Sequence, residues 1–274
     1  MQCYVLILLL AICTCVQCTN AKTARHSFGY EGENGPSHWG EDYDTCKGKY
    51  QSPIDIEEHL VTQVELPAIK FEGFKSEPTT NTLTNNGHTV MLQLNMTKMA
   101  SLSGGPLHGN YIFTQLHFHW GSNDSQGSED TINNHTFPLE LHMVMYKETY
   151  GSFDEATRHK DGLAYLQYSM RYTMKRIRTR HLYFTYNGSL TTPPCLEVVT
   201  WIEFKMPILL SHSQIEAFRK LKSEEGFMTH NFRPVQPLEG RPVWFNVMDK
   251  ENNAPVLQQT MGFMLVSMLL IYMR

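Results

Sequence analysis

The run Gln115-Leu116-His117-Phe118-His119-Trp120-Gly121 constrains this chain more than any other stretch. Imidazoles alternate with bulky apolar side chains, a period of two that fits a β-strand. His117 and His119 then leave one face, and Leu116, Phe118 and Trp120 leave the other. Two imidazoles on one rigid face are half of a metal site, although an isolated His-x-His is more commonly a half-buried strand. A third ligand on a neighbouring strand decides between these readings.

Residues 138–146 supply that ligand. In the segment Pro138-Leu139-Glu140-Leu141-His142-Met143-Val144, a second strand puts Glu140, His142 and Val144 on one face. Paired antiparallel with the first strand, it brings His117, His119 and His142 to a single tetrahedral ion with its fourth corner open. Zinc prefers that arrangement, and three protein ligands with one open position mark a catalytic site. Gln115 and Glu140 precede His117 and His142 by two residues and share their faces, so they are the candidates for fixing ligand tautomers. A charged residue at a sheet edge is the plainer reading of Glu140, but a carboxylate inside an apolar strand needs a partner.

The rest of the chain is consistent with one globular domain. Hydrophobic residues make up 41% of 274 and charged residues 18%, and the net charge of −4 with no basic stripe excludes a nucleic-acid surface. Residues 1–20 begin with an apolar run and read as a signal peptide, which would remove four of the six cysteines and leave Cys46 and Cys195 to form one disulfide. Sequons at Asn95, Asn123, Asn134 and Asn187 fit export. Residues 255–274 carry a polar spacer and a short apolar tail, the pattern of a GPI-anchor signal; the alternative is a tail that packs on the surface. The expected location is extracellular, held at the cell surface by a lipid; protein partners have no signature.

Short strand-like pieces recur between turn signals such as Asn86-Gly87 and Gly104-Gly105, and no repeat or linker divides residues 21–254. This predicts a mainly β (α+β) fold: one large twisted, mostly antiparallel sheet with few short helices. Residues 28–39 read as an irregular arm with aromatic anchors. Ser213-Gln214-Ile215-Glu216 reads as a capping box opening a helix that ends near Gly226.

Together these segments resemble the α-class carbonic anhydrases, in their secreted and membrane-anchored branch. The resemblance is carried by Gln51-Ser52-Pro53-Ile54-Asp55-Ile56, Asn85-Asn86-Gly87-His88, residues 115–121, Gly127-Ser128-Glu129, Glu140-Leu141-His142 and Gly188-Ser189-Leu190-Thr191-Thr192-Pro193-Pro194-Cys195. It implies zinc on His117, His119 and His142, and reversible hydration of carbon dioxide to bicarbonate and a proton by zinc-bound hydroxide. Thr191 and Glu129 would orient the attacking oxygen. Val144, Leu190, Thr192 and Trp201 would line the substrate pocket, and His88 would export the proton with help from Tyr30 and Asn86. A Cys46–Cys195 disulfide is implied for this branch.

The chain departs from the family in three places. Between Leu166 and Leu190 the domain is shorter than usual by a few dozen residues. Tyr165 stands where the pocket commonly has valine, so a phenol ring fills the carbon dioxide site unless the shortening redirects the strand. Asp130 follows Glu129 where histidine is frequent, which predicts weaker support for Glu129. These departures set a second reading beside the enzyme: a zinc-loaded but catalytically impaired ectodomain that acts as a binding module.

Overall fold

The computed structural model describes residues 28–171, 182–223 and 226–247. The expected signal peptide, the anchor signal and the junction residues 172–181 lie outside them. Among the described residues the strands run, in chain order, β1 (Asp55–Ile56), β2 (Thr62–Val64), β3 (Lys70–Glu72), β4 (Pro78–Asn85), β5 (Val90–Met96), β6 (Ser101–Ser103), β7 (Tyr111–Trp120) and β8 (Thr131–Ile132). They continue with β9 (Leu139–Lys147), β10 (Leu163–Arg171), β11 (Tyr183–Gly188), β12 (Val199–Leu209), β13 (Lys222–Ser223), β14 (Gly226–Phe227) and β15 (Trp244–Asn246). The α-helices are short: α1 (Trp39–Asp42), α2 (Phe153–Ala156) and α3 (His212–Arg219).

The fold is mainly β, as the alternating segments predict. Nine strands form one mixed sheet in the order β2-β15-β11-β12-β10-β9-β7-β5-β4, with β3 and β6 attached beside β7. Most pairs are antiparallel, but β10 runs parallel to β12 and β15 parallel to β2. The central strands are covered on both faces, which is why β9 reads Leu-Glu-Leu-His-Met-Val-Met with all seven residues buried. One face presents Leu116, Phe118, Leu141, Met143, Leu166, Tyr168 and Phe204 to the larger apolar core. The opposite face carries the histidines, followed by a second cluster of Val144, Tyr165, Tyr186, Trp201, Ile54 and Ile56.

Helix α3 covers the larger core, with Phe218 packed 5.0 Å from Phe118 and 5.4 Å from Trp120 between ring centroids. Burying a ring of that size contributes about 2–3 kcal/mol. Its start corrects the expected cap. Ser211 is the N-cap; its Oγ accepts from Gln214 N while Gln214 Oε1 accepts from Ser211 N at 2.7 Å. Ser211-x-x-Gln214 offers the same reciprocal pair as Ser213-x-x-Glu216 two residues earlier, at a residue whose backbone is extended as a cap requires. The helix also stops at Arg219, short of Gly226, because Lys222–Ser223 pair antiparallel with Gly226–Phe227 as β13 and β14. Ser211→Ala is expected to lower the unfolding free energy by about 1 kcal/mol, read from urea denaturation; an unchanged midpoint would remove the cap from the account.

The N-terminal arm is more ordered than its Gly, Pro and Asn content predicts. It contains a 3-10 turn at Gly32–Asn34 and then α1. Trp39 pins it, donating Nε1–H to the carbonyls of Gly29 (3.0 Å) and Asn34 (2.9 Å).

Candidate metal centre

Strands β7 and β9 pair antiparallel with His117 directly opposite His142 and His119 opposite Glu140. Directly opposed residues share a face, so three imidazoles crowd one patch of the sheet. Each offers a ring nitrogen, and the three nitrogens lie within 4.8 Å of one another.

The other nitrogen of each ring is already engaged. His117 Nδ1 lies 3.0 Å from Gln115 Oε1, His119 Nδ1 lies 2.8 Å from the Asn231 carbonyl, and His142 Nε2 lies 2.8 Å from Glu140 Oε1. Amide and carbonyl oxygens only accept, so His117 and His119 carry their protons on Nδ1 and leave Nε2 bare. His119 Nε2 and His142 Nδ1 are buried with no hydrogen-bond partner. Buried acceptors left without a donor are costly, and a cation shared among their lone pairs removes that cost. The donor set, all nitrogen with each ring fixed from behind, fits zinc.

Electrostatics point the same way. Burial, reinforced by His119, holds His117 well below the ordinary imidazole range. Burial brings His119 down to about 4 against the opposing pull of the Asn231 carbonyl. Burial and the two neighbouring imidazoles depress His142. All three are therefore neutral at pH 7, the state in which they bind a metal. Because the folded-state values lie below the unfolded one, the stability these rings contribute is fully present above about pH 6.5 and is lost as pH falls below the folded-state values, for His119 about 4. Zinc is accordingly expected to stay bound through pH 5.5, with release on further acidification, as read by zinc content after dialysis. A release midpoint near 6.5 would contradict the buried, pre-neutralised site.

Glu129 is buried beside the triad, 3.3 Å from His119 Nδ1. Burial pushes its carboxyl up to about 8, opposed by the Thr191 hydroxyl and by the Arg233 backbone N–H, which donates to Oε1 at 2.8 Å. Thr191 is thus close enough to act on Glu129, while Oε2 lacks a closed hydrogen bond. Asp130 faces away into its own network, accepting from Ile54 N at 2.6 Å and from the Tyr186 hydroxyl at 3.0 and 3.1 Å.

Tyr165 lies beside the histidine cluster. Strand β10 pairs regularly with β9 from Leu163 to Met170, which puts Tyr165 opposite Val144 on β9 and, on the other side, opposite Trp201 on β12. Its ring centroid is 4.9 Å from Trp201, 6.0 Å from His142 and 6.4 Å from His117. Leu190 packs against the same cluster. Thr192 is half-buried at the turn of the following loop, where its carbonyl accepts from Cys195 N. A disulfide joins Cys46 to Cys195 across 149 residues and fastens that loop to the arm.

Tyr30, Asn86 and His88 come together elsewhere, lining one cavity of about 670 Å³ with Phe28 and His230. The three clustered histidines are not among its lining residues. Asn86 Oδ1 accepts from the backbone N–H groups of His88 and Thr89. Gly87 completes this turn at φ +85°, a conformation that favours glycine. The His88 ring stacks on Phe28 at 4.0 Å.

Two supporting residues escape the sequence reading. Asn231 holds His119 through a main-chain carbonyl, which leaves no mark in the residue type. Its side chain also donates to the carbonyls of His88 and Phe118, each at 2.9 Å. Arg233 is buried with its guanidinium donating to Gln51 Oε1 and to the carbonyls of Ser52 and Cys46. A charged residue between apolar neighbours was the available signal.

Comparison with known proteins agrees with this geometry. A family profile described as eukaryotic-type carbonic anhydrase matches residues 34–178 and 169–247, two pieces that meet at the shortened stretch. Carbonic anhydrase 7 of Mus musculus is 38% identical over 261 residues, covering 81% of this chain and 97% of the relative. Carbonic anhydrase 7 of Homo sapiens is 37% identical over the same length and shares. With that coverage, and with the histidine cluster in place, this chain belongs to the eukaryotic-type (α-class) carbonic anhydrase family.

Proposed function

We propose that the protein is a zinc-dependent carbonic anhydrase that interconverts carbon dioxide and bicarbonate. The observation that carries this reading is the pair of buried, partnerless nitrogens on His119 and His142 beside His117, each ring fixed from behind by an acceptor. Zinc held there supplies a Lewis acid that makes water nucleophilic at neutral pH. Thr191 accepts a hydrogen bond from the attacking oxygen and donates one from its own hydroxyl to Glu129, so that a lone pair of the attacking oxygen faces the substrate. Val144, Leu190, Thr192 and Trp201 hold carbon dioxide against that oxygen. His88, on its Asn86-Gly87 turn with its ring stacked on Phe28, carries the released proton away with Tyr30 and Asn86 nearby, a task suited to an imidazole.

The Cys46–Cys195 disulfide supports placement in the secreted and membrane-anchored branch. Signal peptide at 1–20, catalytic domain at 21–254 and lipid-anchor signal at 255–274 complete that proposal. Release of native protein from membranes by a phosphatidylinositol-specific phospholipase tests the anchor.

Tyr165 favours a second reading, an impaired zinc-binding ectodomain, because its bulky ring lies 6.0 Å from His142 and 4.9 Å from Trp201. Stopped-flow carbon dioxide hydration, with zinc measured on the same sample, separates the two. Stoichiometric zinc with a rate no higher than that of the metal-free protein rejects the enzyme.

A further inference from the structure

The sequons at Asn95, Asn123, Asn134 and Asn187 have no part in the chemistry above. All four asparagines are exposed, so exposure does not choose among them. Their carboxamides differ. Asn95 Nδ2, the atom that a sugar would take, donates to Thr80 Oγ1 at 3.0 Å across the β4–β5 pair. Asn187 lies within β11, and its Oδ1 accepts from Thr200 on β12 at 3.3 Å. The hydroxyl of its sequon partner Ser189 is buried and accepts from Ser52 N. Asn123 folds back on its own sequon, with Oδ1 accepting from Ser125 N at 2.9 Å and from Ser125 Oγ at 2.6 Å.

Asn134 is held differently. It is the second residue of a two-residue hairpin turn, in which Ile132 and His135 exchange backbone hydrogen bonds of 2.9 and 3.1 Å. Asn133 and Asn134 sit at φ +51° and +60°. Two positive angles make a type I′ turn, a conformation that asparagine tolerates better than most residues. The Asn133 side chain anchors the turn on the Glu58 backbone N–H and carboxylate. The Asn134 backbone N–H donates to Asp55 Oδ1 at 2.8 Å, which fixes the main chain. Its carboxamide makes no hydrogen bond to any described residue. His135 and Thr136 beside it are exposed, and the Thr136 hydroxyl donates to the Ser125 carbonyl.

An oligosaccharide is bulky and hydrophilic, and it is attached to the growing chain, so the fold decides which sugars it keeps without losing a contact. At Asn134 no contact is lost. Resting on the secreted placement proposed above, we infer that Asn134 carries an N-linked oligosaccharide. Its Nδ2 bonds to the anomeric carbon of the first sugar of a lipid-pyrophosphate-linked oligosaccharide. The bond from that carbon to the pyrophosphate oxygen breaks, the lipid pyrophosphate leaves, and one amide proton is released. Thr136, two residues on, completes the acceptor motif.

The test expresses the full chain in cultured animal cells and analyses the molecules that carry the Cys46–Cys195 disulfide. Gel mobility is compared with and without peptide N-glycosidase, and the deamidated peptide is mapped. Free thiols at both cysteines in every molecule defeat the secreted placement alone; the same chain behind the leader of a secreted protein then decides the question of Asn134. Asn134→Asp keeps a residue tolerant of positive φ, Thr136→Ala leaves Asn134 in place, and each is expected to remove one glycan. Asn187→Gln is expected to remove none. Unchanged mobility of the disulfide-bonded Asn134→Asp and Thr136→Ala variants overturns the inference. So does a peptide map in which position 134 is unmodified.

Discussion

Replacing Tyr165 with valine is expected to raise kcat/KM for carbon dioxide hydration roughly tenfold to a hundredfold, with zinc content unchanged. The phenol ring packs at 4.9 Å on Trp201 and 6.0 Å from His142, in the row that also holds Val144. A substrate of three atoms needs that space to approach the attacking oxygen at reacting distance, and a misplacement of about 1 Å costs a factor of a hundred. Valine opens the space without adding a polar group. The same change removes a buried ring, so stability is expected to fall by about 2–4 kcal/mol, and rates must be taken well below the unfolding transition. A variant no faster than the natural protein would mean that Tyr165 does not obstruct substrate. Tyr165→Phe keeps the bulk and is expected to stay near the starting rate, which distinguishes crowding from any effect of the hydroxyl.

His142→Ala carries the other large effect. It removes one of three ligands, and zinc affinity is expected to fall roughly a thousandfold or more, taking hydration to the metal-free background. The loss has a second component. Glu140 then keeps a buried carboxyl without the donor it holds at 2.8 Å, at a cost of about 1–3 kcal/mol to the metal-free fold. Glu140→Gln alone leaves all three ligands and is expected to weaken zinc only tenfold to a hundredfold. Equilibrium competition with a chelator orders the two variants. Equal affinities for His142→Ala and the unmutated chain would remove His142 from the metal site.

The ligand set was legible because period-two alternation is a property of residue type. His117, His119 and His142 needed only the assumption that their strands pair, and β7 and β9 do pair. Gln115 and Glu140 could be placed by the same parity. Asn231 could not, because the group that meets His119 is a carbonyl every residue owns. The helix was located but misplaced at both ends: Ser211 and Ser213 offer nearly equivalent caps, and the β13–β14 pairing that follows directly sets the other end. Parallel pairing of β10 with β12 also stayed hidden, since it depends on the crossover and not on the pattern within either strand. The family resemblance put Tyr165 near the histidines, but whether the shortened chain would turn it away depended on the register of β10, which only the assembled sheet reveals.

Direct opposition of His117 and His142 also bears on how the chain matures. A slip of one residue between β7 and β9 would turn one ligand to the far side of the sheet, so the metal can be captured only by molecules whose central strands have found their correct alignment. With zinc held as proposed, metal uptake during refolding is therefore expected to count correctly assembled molecules and to trail the pairing of those strands.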